Sequence, residues 1–466
     1  MTASSSTHRR KPQRLQSARE VALQALCRIE QDEAYANLVL NGLLRQSQLD
    51  TRDRAFATEL TYGTVRWQGQ LDWVLSHFVS RPLASQHPVV RNALRLAAYQ
   101  LIHLRSIPEH AVCSEAVRIV KQHRATQHAA GFVNAVCRAV ARGWNALEAP
   151  DWHTDPVQHL AVTTSHPAWL IERWIRQYGA DHAAAYARSN NEPAPIVLRT
   201  NRLRCTVDEL IGSLKDEGVE VAPSPVLPDA VRIKGGGGVE QLQAFQQGLC
   251  TPQDESSQLV AIVIDPKPGQ RVWDVCSAPG GKTTHLAERM GDYGTIYALD
   301  VNPARVRLVE QACRRLGIQS VKAFVGDARH VQGAPGEAVL VDAPCSGSGV
   351  LRRRPDLRWA RSEADFASLV TLQREILAAA AKLVQPGGVL LYSTCSVDDE
   401  ENGQNVDWFL THHPDFRPDP FYDRLPESLQ STITDRQKRQ IQHGRLQLWP
   451  HLNDTDGFFV ARLIRL

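Results

Sequence analysis

The side chains able to do chemistry concentrate in three short stretches of the second half of the chain: DVCSAPGGKTT (residues 274–284), VDAPCSGSG (341–349) and STCS (393–396). The second and third each deliver a cysteine at the end of an apolar run. A thiol is partly ionised near neutrality, adds to an electron-poor carbon and departs again, so either cysteine is a candidate nucleophile. A buried cysteine is more often a small packing residue, and Cys27, Cys113, Cys137 and Cys313 are read that way. Cys345 and Cys395 differ because both stand where a sheet delivers ligand contacts. Fifty residues separate them, but neighbouring strand ends would bring them together.

The first stretch is a glycine turn between a strand and a helix, where a missing Cβ lets backbone approach a ligand closely and the helix start offers free N–H groups. A phosphate-binding loop of the form GxxxxGK[ST] finds its second half in Gly281-Lys282-Thr283, but Cys276 stands where the first glycine is needed. A GxGxxG dinucleotide fingerprint is absent. The third reading is a site for S-adenosylmethionine, which carries no phosphate and needs no full anion cradle. Asp300 ends the next strand, twenty residues beyond Gly280, about where an acidic residue meets ribose hydroxyls. Asp327 ends the strand after that, placed to accept from an adenine amino group. Each aspartate alone reads better as a cap or turn residue; a glycine loop and two aspartates on three successive strand ends read as a nucleoside site.

The elements that must position these groups follow from residue periodicity. From about Gln270 the rhythm is strand–helix–strand, with strands expected at RVWDVC, GTIYALDV, VKAFVGDA, AVLVDAP, VLLYSTCS and the terminal FFVARLIRL. That predicts a doubly wound, mostly parallel α/β sheet with ligands at the carboxyl ends of its strands. Upstream, PIVLRTN, a helix opened by a Thr206–Glu209 capping box, VEVAPSP and AVRIK suggest a small α+β module. From Ala18 to about Arg142 the apolar spacing is helical throughout, as in AREVALQALCRIEQ, and predicts an all-α domain of six or so helices. The expected organisation is a basic disordered tail (1–17), an all-α domain (18–145), a linker across 150–165, an α+β module (160–250) and a catalytic domain (251–466).

Composition bounds the function classes. The chain has 466 residues, 43% of them hydrophobic and 22% charged, which is ordinary for globular domains. It holds no apolar run long enough for a membrane span and no secretory leader. Nine cysteines, an odd number without a CxxC pair, argue against a disulfide framework or a metal site and for a reducing cytoplasm. Net charge is only +3, but residues 1–145 carry 19 Lys and Arg against 10 Asp and Glu, leaving −6 for the remainder. A basic first third suggests a polyanionic partner. In RRRPDLRWAR, Arg352, Arg353, Arg354, Arg358 and Arg361 surround Trp359; a solvated charge run is the plain reading, and RNA contact the functional one.

In order and in strand-end placement, DVCSAPGGKT, DAPCSGSG and STCS resemble the RNA 5-methylcytosine methyltransferases. The order of a NusB-like helical domain, a small α+β module and this catalytic domain is similar to the bacterial Fmu (Sun) subfamily, as are TPQDESSQ, LRRRPDLRW and TDGFFVARL. One departure is Ser277, often alanine in that family. The resemblance implies a Rossmann-like domain that uses S-adenosyl-L-methionine to methylate carbon 5 of a cytosine in 16S ribosomal RNA, the one numbered 967, free or in an early small-subunit particle. It implies a monomer without a metal. It further implies a cofactor site made of Cys276, Ser277, Ala278, Pro279, Gly280, Gly281, Lys282, Asp300, Asp327 and Asp342. In the RNA enzymes the nucleophile lies in the Thr-Cys motif, here Cys395. The resemblance gives Cys345 a part in product release, Asp342 the ring edge of the base, and Lys282 a place in the pocket. A P-loop NTPase and an idle RNA-binding scaffold are the competing function classes.

Overall fold

The computed structural model describes residues 17–32, 35–234 and 238–466. Apart from Ser17, the expected N-terminal tail lies outside the described residues, as do three of the four glycines at 235–238. The chain divides into two compact units, one ending at Ile171 and one running from Glu172 to Leu466.

The first unit is all helical among the described residues: α1 (Ala18–Asp32), α2 (Ala36–Gln46), α3 (Thr51–Arg66), α4 (Gln68–Ser76), α5 (Pro88–His103), α6 (Glu109–Gln122), α7 (Ala130–Gly143) and α8 (Pro156–Thr163). In α1 the apolar stripe turns inward, with Val21, Leu23 and Leu26 buried, because residues three or four apart share a helix face. The expected linker at 150–165 is instead largely α8. Its prolines mislead, because proline at the first helical position costs no hydrogen bond: Pro156 opens the helix, and Asp155 caps it by accepting from the Gln158 amide at 2.9 Å.

The second unit opens with α9 (Ala168–Tyr178), which runs across the division, and α10 (Ala180–Ser189). The small module follows as β1 (Ile196–Thr200), α11 (Val207–Asp216), β2 (Glu220–Pro223), β3 (Ala230–Lys234), α12 (Gln243–Gln246) and β4 (Cys250–Pro252). Its antiparallel sheet has the order β2-β3-β1-β4. The expected capping box is present: the Glu209 amide donates to the Thr206 hydroxyl, and the Thr206 amide donates to the Glu209 carboxylate at 2.7 Å. The three-residue β4 was not legible in the sequence.

Next come α13 (Glu255–Ile264), β5 (Arg271–Asp274), α14 (Gly281–Arg289), β6 (Thr295–Asp300), α15 (Pro303–Leu316), β7 (Val321–Val325), β8 (Gly336–Asp342), α16 (Leu357–Ala360), α17 (Glu363–Ala381), β9 (Val384–Thr394), α18 (Gly403–His412), β10 (Phe416–Pro418), β11 (Arg445–Leu448) and β12 (Phe458–Arg465). The sheet runs β10-β12-β9-β8-β5-β6-β7, with β11 also on β12. β5 to β9 are mutually parallel and β12 is antiparallel to β9. Alternate residues leave opposite faces of a strand. Val272, Leu340 and Leu391 therefore join a core with α13, α14 and α15, while Trp273, Val339 and Leu390 join one with α17 and α18. Burial on both faces explains the uninterrupted apolar runs. β5 pairs with both β6 and β8, so chain order reverses there, and the crevice at this point opens at the carboxyl strand ends.

Candidate active site

Register brings the chemistry-bearing residues to one edge. Asp274 pairs across to Leu340, and Asp342 lies directly opposite Ser393. Cys345 follows Asp342 by three residues and Cys395 follows Ser393 by two, so two parallel strands release their cysteines side by side. The Sγ atoms are 3.3 Å apart.

The glycine loop is held from beneath. The Ser277 amide and hydroxyl both donate to the Leu299 carbonyl, at 2.9 and 3.1 Å. Gly280 has φ +105°, and a Cβ there would stand 3.1 Å from the Val309 Cα, so the turn onto α14 requires glycine. Cys276 and Ala278 pack towards the sheet cores. Burial pushes the Cys276 thiol well above its ordinary value, and Asp274, Asp342 and Asp300 add to the effect. That makes it a poor nucleophile.

Lys282, in the first turn of α14, sends Nζ to within 2.7 Å of Asp342 Oδ2 and 5.1 Å of the Phe458 ring centre. Burial opposes its charge, but Asp342 prevails and raises its pKa. Asp342 Oδ1 accepts from the Ser393 hydroxyl at 2.9 Å. Asp300, buried at the end of β6, accepts from the Asn302 amide at 2.9 Å and lies 3.6 Å from Arg305. Arg305 also donates to the Ala278 carbonyl at 2.9 Å. Asp327 is held by its own loop: Arg329 reaches it at 2.7 Å and draws its pKa down to about 2.

The two thiols are electrostatically unequal. A hydrogen bond from Cys345 draws Cys395 below an ordinary thiol; burial and Asp342 oppose this, and Lys282 assists. Cys345 is driven well above the ordinary value by the same contact and by burial. The two directions favour Cys395 over Cys345 as the ionisable thiol.

Sequence reasoning missed the surrounding frame. Glu401, fully buried, accepts from the Ser346 amide at 2.9 Å and from the Ser346 and Ser396 hydroxyls at 2.5 Å each. Its place in the run DDEEN reads as a solvated turn. Asp274, beneath the glycine loop, accepts from Thr283 Oγ1 at 2.6 Å, and burial pushes its carboxyl up to about 7. From α9, Arg173 pairs with Asp398 at 2.8 Å and Tyr178 donates to the Val397 carbonyl. The Tyr186 hydroxyl of α10 donates to the Ser348 carbonyl. Both cysteine turns are thus braced by helices from far upstream.

The arginine-rich segment differs from the RNA-facing loop expected. Arg358 is fully buried, donating to the Asn190 carbonyl at 2.7 Å and to Asn191 at 2.8 Å. Arg352 is buried on Asp456 at 2.8 Å, and Arg353 links Asp456 and Asp254 at 2.5 and 2.7 Å. Arg354 and Arg361 are half-buried, as is Trp359, and Arg361 lies 3.4 Å from the Ser346 carbonyl. Carboxylates and carbonyls from distant segments converge here, so the charge serves packing.

A donor set of one glycine turn, a buried acceptor at Asp300 and two cations already engaged, Lys282 and Arg305, suits a nucleoside without phosphates better than a nucleotide. Among the described residues, no helix is long and apolar enough to cross a membrane, and no cluster of His, Cys, Asp and Glu is arranged to hold a metal.

The chain is similar to known proteins along nearly its whole length. The model of the 16S rRNA methyltransferase RsmB/F family matches residues 261–464, that of the NusB family residues 16–142, and that of the RsmF/B-like ferredoxin-like domain residues 166–240. The chain is 39% identical over 452 residues to the probable ribosomal RNA small subunit methyltransferase B of Bacillus subtilis (strain 168), covering 96% of this chain and 98% of that protein. The crystal structure of PH0851 is 32% identical, with a TM-score of 0.80 and coverage of 96% and 98%. That of NSun6 from Pyrococcus horikoshii with SFG is 25% identical, with a TM-score of 0.57, covering 64% of this chain and 98% of that one. Three domains in the same order and matches along nearly the whole length place the chain in the RsmB/F family of 16S rRNA methyltransferases.

Proposed function

We propose that this enzyme methylates carbon 5 of a single cytosine of 16S rRNA, the one numbered 967, through a covalent bond between Cys395 and carbon 6 of the base. The observation that carries the reading is the pair of thiols 3.3 Å apart beside the Lys282–Asp342 pair. S-adenosylmethionine, when bound, supplies an electrophilic methyl group; NSun6 was solved with SFG, an analogue of it. The loop from Cys276 to Lys282 would hold its amino-acid end, Asp300 its ribose and Asp327 its adenine. Asp342 borders both this site and the base.

Carbon 5 of cytosine is a weak nucleophile. The Cys395 thiolate adds to carbon 6, the ring becomes an enamine, and carbon 5 takes the methyl group as the methyl–sulfur bond breaks and the sulfonium leaves as a neutral thioether. Loss of the carbon 5 proton then lets the Cys395–carbon 6 bond break, restoring the ring and the thiolate. Asp342 holds the N3 and N4 edge of the base by accepting from its amino group, and Lys282 beside it offsets the negative charge that attack pushes onto the ring. Lys282 keeps Asp342 in place. Cys345, held protonated, serves the release step. The base must leave its stack to reach the thiolate. We infer a cytoplasmic monomer acting on free 16S rRNA or an early small-subunit particle, with its basic first unit holding phosphates.

Mapping of 5-methylcytosine by mass spectrometry in 16S rRNA from cells lacking the chain tests this. Loss of the methyl group at 967 alone, restored by the intact chain, is expected; an unchanged 967 overturns the assignment. Calorimetry adds a control: S-adenosylmethionine should bind and ATP should not.

A further inference from the structure

We propose that Glu401 is a positioning residue whose carboxylate, acting through Ser346 and Ser396, sets the separation of the Cys345 and Cys395 thiols. The inference rests on reading Cys395 as the nucleophile. Glu401 lies on neither strand that carries a cysteine. It stands in the turn after β9, yet bonds to the residue following each cysteine: the Ser346 amide at 2.9 Å, the Ser346 hydroxyl at 2.5 Å and the Ser396 hydroxyl at 2.5 Å. Gln373 of α17 donates the fourth bond, at 2.9 Å. The two serine hydroxyls are themselves 3.3 Å apart and Ser348 Oγ lies 2.9 Å from Ser396 Oγ, so the two cysteine turns meet through the thiols, through this carboxylate and through these hydroxyls.

The carboxylate has no cation within hydrogen-bonding reach among these contacts and is satisfied by neutral donors alone. A buried acid without a counter-ion is costly, and burial raises its pKa. A neutral side chain would pack here at lower cost, so stability alone gives no reason for an acid at this point. An acid is, however, an acceptor at both oxygens. It can therefore collect donors from both turns at once. Its own backbone is fixed in turn: the Glu401 carbonyl accepts from the Tyr392 hydroxyl at 2.6 Å and from Asn405 at 3.2 Å. A second link runs beside it, from the Gly349 amide to the Cys395 carbonyl at 2.9 Å. A Cβ on Gly349 would stand 2.0 Å from the Gly457 carbonyl oxygen, so that approach leaves no room for any other residue.

Cys395 is faced by Cys345, Asp342, Lys282 and Glu401, and of these Cys345 does most to favour its thiolate. Loosening the turns would lengthen the thiol contact and return Cys395 towards an ordinary thiol. The test uses the full chain with Glu401→Ala and Glu401→Gln. The rate of iodoacetamide alkylation of Cys395 is followed against pH, with Cys345 and Cys395 peptides separated by mass, and kcat and KM are measured on an rRNA fragment. Glu401→Ala should slow Cys395 alkylation at pH 7 about tenfold, a shift of one pH unit, and lower kcat about tenfold or more with KM for S-adenosylmethionine within about twofold. Glu401→Gln keeps the side-chain length and one acceptor but sets a donor where the second acceptor stood, and should recover only part of both.

Where Glu401→Ala does not fold, the double variant Ser346→Ala, Ser396→Ala replaces it, with the same displacement expected. A folded variant with the wild-type alkylation profile and kcat overturns the proposal. Alkylation needs no RNA, so the result stands apart from the nucleophile assignment, which fails separately if Cys395→Ala retains turnover.

Discussion

Cys345 and Cys395 sit with their sulfur atoms 3.3 Å apart, and the contact makes them unequal. One thiol donates and the other accepts, so Cys395 is drawn towards thiolate while Cys345 holds its proton. The proposed roles of attack for Cys395 and release for Cys345 rest on this inequality.

Cys395→Ala should lower methyl transfer by about a thousandfold or more, as loss of a nucleophile does, and leave S-adenosylmethionine binding within about twofold. The residues proposed to hold the cofactor belong to other strands. Single-turnover transfer and calorimetry on one preparation check both halves, and substantial turnover would sink the assignment.

Cys345→Ala separates three roles on one denaturing gel. A release residue, once lost, leaves the Cys395 adduct to accumulate as a protein–RNA band dependent on S-adenosylmethionine. A nucleophile would leave no band and no turnover, and a packing residue no band with near-normal turnover. The first pattern is expected, with no band from the double variant lacking both thiols.

Asp274 predicts a pH dependence of stability. Its carboxyl is raised to about 7 in the folded chain, against an ordinary value of about 3.9. The folded state therefore binds this proton more tightly than the unfolded state. Its contribution is full below about pH 4, is lost as pH climbs to about 7, and stays lost above that. Asp274→Asn should flatten that decline, gaining several degrees in Tm at pH 8 relative to wild type and little at pH 4. Thermal melts across pH 4–8 decide it; parallel curves would contradict the burial argument.

Arg358→Ala should destabilise the fold by roughly 2–4 kcal/mol, since it strands the buried Asn190 carbonyl and removes the donor to half-buried Asn191. The salt dependence of RNA binding should not change. A reduced salt slope in a stable variant would return this arginine to the RNA interface.

The first unit should account for most RNA affinity. A chain of residues 172–466 should bind RNA about tenfold or more weakly with a flatter salt dependence, because each lost phosphate contact removes roughly 0.7–0.9 from the log–log slope. Filter binding from 50 to 200 mM salt measures it, with circular dichroism as the folding control.

The linear order of residues was enough for the three-part organisation, the parallel sheet and the candidate cysteines. Apolar periodicity reflects which face is buried, and a strand-end turn keeps its composition wherever the strand lies. Residues 150–165 show where this fails: two prolines resemble a linker, and only the capped α8 shows that one of them starts a helix. The contact and inequality of the Cys345 and Cys395 thiols belong to the tertiary structure, because they depend on two strand ends meeting. So does Glu401, whose acidic neighbours suggest solvent and whose four donors come from turns and a helix up to 55 residues away. The same holds for Arg352, Arg353 and Arg358. A charge run has no periodicity to reveal its burial, and the carboxylates and carbonyls that neutralise it arrive from segments far along the chain. Local pattern encodes which residues turn inward; which of them then meet is set by the crossing of chain segments, which no local pattern contains.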